Sequence, residues 1–213
     1  MPARTEHTPV RVPRPSRHEV RERLIAAAID QFESRGYADT SVSSVSEAAG
    51  FSRGAAYSNF TSKEDLFLAA LERNAGHRID ETLDLLADSG SASRADQAQV
   101  QARLERNQQW AILFMEFCLQ AHRRPELQQR LRDTRHRMRD DFALRLASLR
   151  HAPASSEWLP TATAILAMNN GLIIEGICDG TPVPESANLL MGLLDNLAPS
   201  AQPDRHGTVA QRR

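Results

Sequence analysis

The sequence predicts an all-α fold of about nine helices. Three observations predict it. Apolar residues recur at helical spacing through almost every segment. No stretch alternates with period two or concentrates β-branched residues as a strand would. Serine or threonine stands before the periodic runs and glycine after several of them, as helix starts and stops require.

The elements follow in order. Residues 1–15 hold prolines at 2, 9, 13 and 15 and read as a disordered arm. Ser16 and Glu19 form a capping box, in which each side chain satisfies a backbone N–H at the other's position. Val20, Leu24, Ala27, Ala28 and Phe32 make one apolar face, and Gly36 stops that helix. Thr40 or Ser41 caps a second helix carrying Val42, Val45 and Ala49, which ends at Gly50. Ser52 caps a short third helix reaching about Asn59. Ser62, with Asp65 at the box position, caps a fourth that continues toward Leu86. A loop of composition "DSGSAS" occupies 88–93. Further helices are expected near 95–105, 107–122, 125–149, 158–178 and 184–197, with Pro125, Pro160 and Pro184 at first-turn positions. Residues 198–213 read as a disordered tail.

Composition narrows the class. The chain is 41% hydrophobic and 25% charged, ordinary values for a globular domain. Its net charge of −1 conceals an imbalance, because residues 1–17 carry four arginines against one glutamate, a net of +3. Such an arm either steers the protein toward a polyanion or is simply solvated. The longest apolar run, Trp110 to Ala121, contains Glu116 and is too short to cross a bilayer. No apolar signal region opens the chain, so a cytoplasmic protein with no membrane association is expected. Cys118 and Cys178 have no paired spacing and read as reduced core thiols.

The stretch "SVSSVSEAAGFSRGAAYSNF" has the pattern of a helix-turn-helix. Small Ala48 and Ala49 let two helices cross closely, Gly50 supplies the positive φ of the reversal, and Phe51 enters the core beneath it. Ser52 caps the second helix, whose remaining amides and dipole suit a phosphate or a base edge. Arg53 reaches a phosphate or forks onto guanine, Gly54 lets the backbone approach, and Ala55 and Ala56 suit a thymine methyl. Tyr57, Ser58 and Asn59 offer hydroxyl and amide groups, and Lys63 is placed to neutralise a phosphate. A plain helical hairpin carries much the same pattern, so the surroundings decide.

Those surroundings resemble the TetR family of transcriptional regulators. The family signature is an aromatic and a glycine ending the first helix, then T-S-V, a small-small-Gly turn, S-[KR]-G, an aromatic pair and S-K-E. This chain has Phe32, Gly36-Tyr37, Thr40-Ser41-Val42, Ala48-Ala49-Gly50-Phe51-Ser52, Arg53-Gly54, Tyr57, Phe60 and Ser62-Lys63-Glu64-Asp65-Leu66. The match spans about residues 18–78. Asn59 stands where the family often has histidine, Ala56 replaces a larger apolar residue, and Ser46 replaces an alanine. The resemblance implies a DNA surface. Thr40, Ser41, Ser43 and Lys63 would hold phosphate, and Ser52, Arg53, Gly54, Ala55, Tyr57, Ser58 and Asn59 would face the major groove or its rim. Phe32, Val45, Phe60 and Leu66 are assigned to a three-helix core.

The expected domains are a basic arm (1–15), a DNA-binding domain (16–78, with the helix-turn-helix at about 41–60), a helical ligand-binding and dimerisation domain (79–197) and a tail (198–213). One such module reads few base pairs, so a homodimer on a palindromic duplex is expected. Leu190 and Leu194 lie on an apolar stripe of 184–197, a segment apolar on two faces, and Ile165, Leu172 and Ile173 on a similar helix at 158–178. The family resemblance implies a small-molecule pocket in the middle helices, for which Trp110, Phe114, Phe117, Cys118, Met138, Phe142, Met168 and Asn169 are candidates. The apolar character of these residues suggests a small apolar effector. No cofactor, metal-ligand spacing, nucleophile pattern or phosphate loop is evident, so no enzyme is predicted. The expected function is a ligand-responsive repressor. The alternatives are a DNA-bound regulator or architectural protein without an effector, and a helical enzyme or adaptor.

Overall fold

A computed structural model describes residues 15–87, 96–153 and 155–180. The described residues form seven helices: α1 (Arg17–Arg35), α2 (Val42–Ala48), α3 (Arg53–Tyr57), α4 (Lys63–Ala87), α5 (Asp96–His122), α6 (Pro125–Leu149) and α7 (Trp158–Asp179). Two helices expected near 95–105 and 107–122 are one, α5. Neither glycine nor proline lies between 96 and 122, and an asparagine such as Asn107 costs a helix interior well under 1 kcal/mol. The expected helix at 184–197, both terminal segments and the 88–93 loop lie outside the described residues.

Local chemistry sets the element ends. The Ser16 Oγ accepts from Glu19 N at 3.2 Å, and the Glu19 carboxylate accepts from Ser16 N at 2.6 Å. Hydrogen bonding to the carboxylate from the Ser16 backbone N–H, foremost, and from the Ser16 side chain holds the Glu19 carboxyl below its ordinary range. Gly36, at φ +79, closes α1 by donating to the Phe32 carbonyl at 2.9 Å. Of the two candidate caps for α2, Ser41 is the one used: its Oγ accepts from Ser44 N at 3.0 Å. Ser62 caps α4 by accepting from Asp65 N at 3.1 Å, while the Asp65 carboxylate takes the Thr61 N–H. Pro125 occupies the first turn of α6, and Gly180 ends α7 in the left-handed conformation.

Two apolar cores organise the molecule. The first lies under the helix-turn-helix and buries Phe32, Val45, Phe60 and Leu66, as expected of that module. It does not stop there. Trp110, Leu113 and Phe117 from α5, and Leu127 and Leu131 from α6, close the same core. Phe67 is its hub, stacked on Phe117 at 4.6 Å and meeting Phe32 and Tyr37 edge-on at 5.0 Å. The Trp110 Nε1–H donates to the Glu33 carboxylate at 2.6 Å, tying α5 to α1. The second core holds Ile79, Phe142, Ala143, Leu146, Ala147, Trp158, Ala162 and Ile165, from α4, α6 and α7.

Helices α4 and α6 cross from one core to the other and run in the same direction. Arg124 pairs with Glu64 at 2.6 Å, Arg130 with Asp65, Arg137 with Glu72 at 3.0 Å and Arg145 with Asp80, in matching order along the two helices. At least one partner of each pair is exposed, so each adds little stability. Helix α7 is long and apolar enough to cross a membrane by length and composition alone, with a mean hydropathy of 1.3. Trp158, Ala162 and Ile165 of α7 instead pack into the second core.

Candidate nucleic-acid interface

The helix-turn-helix is assembled from the residues the sequence singled out. Ala49 caps the end of α2, Gly50 takes φ +73, and the chain reverses with Phe51 N donating to the Ser46 carbonyl at 2.9 Å. Phe51 is half-buried against the first core. Ser52 then caps α3, its Oγ accepting from Ala55 N at 3.2 Å. The cap fixes where α3 begins, and so where Arg53 stands.

Arg53, Gly54 and Tyr57 form the exposed side of α3. Arg53 makes no ion pair or hydrogen bond with the other described residues, and Tyr57 is 51% exposed. A guanidinium and a phenol presented together on a helix start have the donors that phosphates and base edges accept. Ala55 is half-buried. Ala56 is fully buried in the first core, so the thymine-methyl reading of that residue fails and it serves packing.

Other predicted contacts are already committed within the chain. Thr40 is 2% exposed, and its hydroxyl lies 2.8 Å from the Gly36 carbonyl and 3.2 Å from that of Gln31. Its hydroxyl braces the end of α1. Ser41 is exposed but spends its oxygen on the α2 cap, and Ser43 is half-buried. The Ser58 hydroxyl donates to the Ala55 carbonyl at 2.8 Å, and the Asn59 amide does the same at 2.8 Å. Both side chains close the end of α3. Lys63 donates to the Ala38 carbonyl at 2.9 Å and lies 4.4 Å from the Tyr37 ring centre. Partial burial lowers its pKa, while Glu64 and Asp39 oppose that shift. The Tyr37 phenol is pushed up to about 12, chiefly by burial, and stays neutral.

The predicted effector-lining residues do not come together as one set. Trp110 and Phe117 are buried in the first core, with Phe114 and Cys118 packed against it. Phe142 belongs to the second core, and Met168 packs on its edge. Met138 and Asn169 are half-buried. The periodicity correctly marked apolar faces, but each face meets its own core. A cleft of about 370 Å³ lies between α1, α4 and α6, lined by Arg21, Asn59, Asp65, Glu72, Arg130 and Arg137 among others. It is polar and includes none of those eight candidates. Cys118 is half-buried and burial raises its thiol pKa, whereas Cys178 is exposed, so only the former fits the expectation of a core thiol.

The dimer candidates also divide. Ile165 is 1% exposed inside its own subunit's second core and Ile173 is buried, so neither is presented outward. Leu172 is half-buried. Leu190 and Leu194 lie outside the described residues.

Comparison with known proteins agrees with this geometry. Residues 24–70 match the family described as bacterial regulatory proteins, tetR family. Residues 92–199 match that described as BetI-type transcriptional repressor, C-terminal. An uncharacterized HTH-type transcriptional regulator, YerO of Bacillus subtilis (strain 168), is 34% identical over 71 residues, which span 33% of this chain and 25% of that protein. Among solved structures, a TetR-family transcriptional regulator from Streptomyces coelicolor aligns with a TM-score of 0.53 at 16% identity, covering 84% of this chain and 99% of the other. A Mesorhizobium loti MAFF303099 structure assigned to the same family gives 0.54 at 18% identity, covering 86% and 97%. At these identities the structures speak for the fold. With both halves of the chain matched in order and the helix-turn-helix geometry in place, the chain belongs to the TetR family of bacterial transcriptional regulators.

Proposed function

We propose that the protein is a sequence-specific, homodimeric repressor acting in the cytoplasm on a palindromic duplex and released by a small ligand. The observation that carries the reading is the start of α3. Ser52 fixes the helix, and Arg53 stands exposed on it without a partner inside the described residues. Dimerisation is argued from α7: Leu172 and Ile174 remain partly exposed after the second core has been filled. A helix apolar around most of its surface normally buries the rest, and a second copy supplies the cover. Release is a population shift. A ligand that prefers the form with wrongly spaced recognition helices draws the protein off DNA, and a coupling of ~1–3 kcal/mol gives roughly 5- to 150-fold regulation.

Selection of duplexes from a random pool at about 0.15 M salt tests this, because that salt suppresses non-specific binding. A palindrome is expected, and Arg53→Ala should bind it about 5- to 150-fold more weakly, a loss of ~1–3 kcal/mol. Recovery of no common sequence would refute the reading. A second reading, a regulator without an effector, is favoured by one observation: the aromatic residues expected to line a pocket are spent in the two apolar cores. A compound that raises the melting temperature and lowers affinity for the selected duplex would exclude it.

A further inference from the structure

Three arginines on α1 reach across to the helix-turn-helix and contact main-chain carbonyls at the C-terminal ends of both its helices. Arg23 donates to the Ala49 carbonyl at 3.1 Å, at the end of α2. Its guanidinium lies 4.6 Å from the Phe51 ring centre. Arg17 donates to the Ser58 carbonyl at 3.2 Å, and Arg21 to the Asn59 carbonyl at 3.3 Å, both just past α3. Arg21 also rests over the Phe60 ring, 4.4 Å from its centre. Positive charge at a helix C-terminus is favourable, because the last carbonyls carry partial negative charge and lack partners within the helix.

The recognition helix needs such support more than its neighbours do. It has five residues, Arg53–Tyr57, and buries one of them, Ala56. A helix this short has little stability of its own. Ser52 fixes its N-terminal end. At its other end the Ser58 and Asn59 side chains turn back onto the Ala55 carbonyl, leaving their own carbonyls to the two arginines.

We infer that Arg17 and Arg21 are positioning residues for sequence recognition: by gripping the Ser58 and Asn59 carbonyls they set the angle at which α3 presents Arg53 and Tyr57. Arg23 does the same for α2 and the turn. The inference rests on α3 being the reading helix. It differs from a phosphate role for the same arginines, in which they would add affinity for any sequence.

The test uses the full chain carrying Arg17→Ala with Arg21→Ala, and the same pair of positions changed to Gln. The duplex is the one wild type selects from a random pool, with a scrambled duplex of equal length as control. The Ala pair is expected to bind the selected duplex roughly 3- to 30-fold more weakly, from two lost helix-end contacts. Affinity for the scrambled duplex and its salt slope should hold, and Gln, a neutral donor, should restore part of the discrimination. Equal weakening on both duplexes, with the slope shallower by ~0.9 per arginine, overturns the inference and makes them phosphate ligands. Hydrogen exchange of the DNA-free protein gives a reading independent of any duplex. Amides of Ala56 and Ser58 should exchange faster in the Ala pair while those of α4 do not change. Unchanged exchange at α3 overturns the inference even if wild type selects a palindrome.

Discussion

Beneath the helix-turn-helix, five aromatic residues, Phe32, Tyr37, Phe67, Trp110 and Phe117, stack or meet edge to face. The core between α6 and α7 is instead built around alanines, Ala143, Ala147 and Ala162, with Phe142 and Trp158 as its aromatic members. Aromatic pairs add about 0.5–1.5 kcal/mol beyond their buried area, and their preferred angles restrict how neighbouring elements can shift. Small residues give helices a closer approach with less interlocking. The first core also draws on both sides of the boundary expected near residue 78. The N-terminal helix-turn-helix module is therefore braced by α5 and α6 of the C-terminal domain through one shared core.

The largest effect should come from removing a ring that crosses that boundary. Phe117→Ala should cost ~3–5 kcal/mol and abolish binding to the selected duplex near the new melting temperature, although Phe117 lies far along the chain from α3. Phe142→Ala, of similar cost, should leave binding intact where the first core stays folded. A fragment ending at residue 87 that melts and binds like the whole chain would break the comparison.

Trp110→Phe keeps a ring but removes the donor to Glu33. A loss of about 1–3 kcal/mol is expected, read as a lower denaturant midpoint at unchanged slope. A loss no greater than that of a surface substitution would assign the bracing to the rings alone.

The smallest effect concerns the Arg124–Glu64 pair on the α4 and α6 flank. Arg124's hydrogen bond, foremost, holds the Glu64 carboxyl below its ordinary 4.5. A carboxyl with a depressed folded pKa stabilises above its unfolded value, and that stability is lost as pH falls through the folded value. Glu64→Gln should therefore flatten the acid limb of the stability profile, more at low salt than at high. An acid limb identical in the two proteins would remove this pair from the account.

Much of this architecture was legible in the residues. The Ser16–Glu19 box, the Ser52 cap and the reversal at Gly50 are local chemistry, decided within a few positions. Periodicity likewise marked Phe32, Val45, Phe60 and Leu66 as core. What a face meets is not local. Trp110 and Phe117 lie on an apolar stripe whether they line a cavity or pack on Phe67, and only the approach of α5 to α1 and α4 decides. Thr40 sits one residue before a cap, so spacing alone could not separate it from Ser41; the carbonyls of Gly36 and Gln31 did. Of the α1 arginines, Arg17 counts toward the basic end, and Arg21 and Arg23 carry no signal, since a long side chain names no partner from sequence.

The chain's two tryptophans are divided between its halves, Trp110 in the first core and Trp158 in the second. Each indole is buried, and Trp110 donates to the Glu33 carboxylate. Trp158→Phe and Trp110→Phe thus leave a single fluorophore in one half or the other. Emission from each variant would follow loosening of that half separately, without an attached dye, as a candidate effector or a duplex is titrated in.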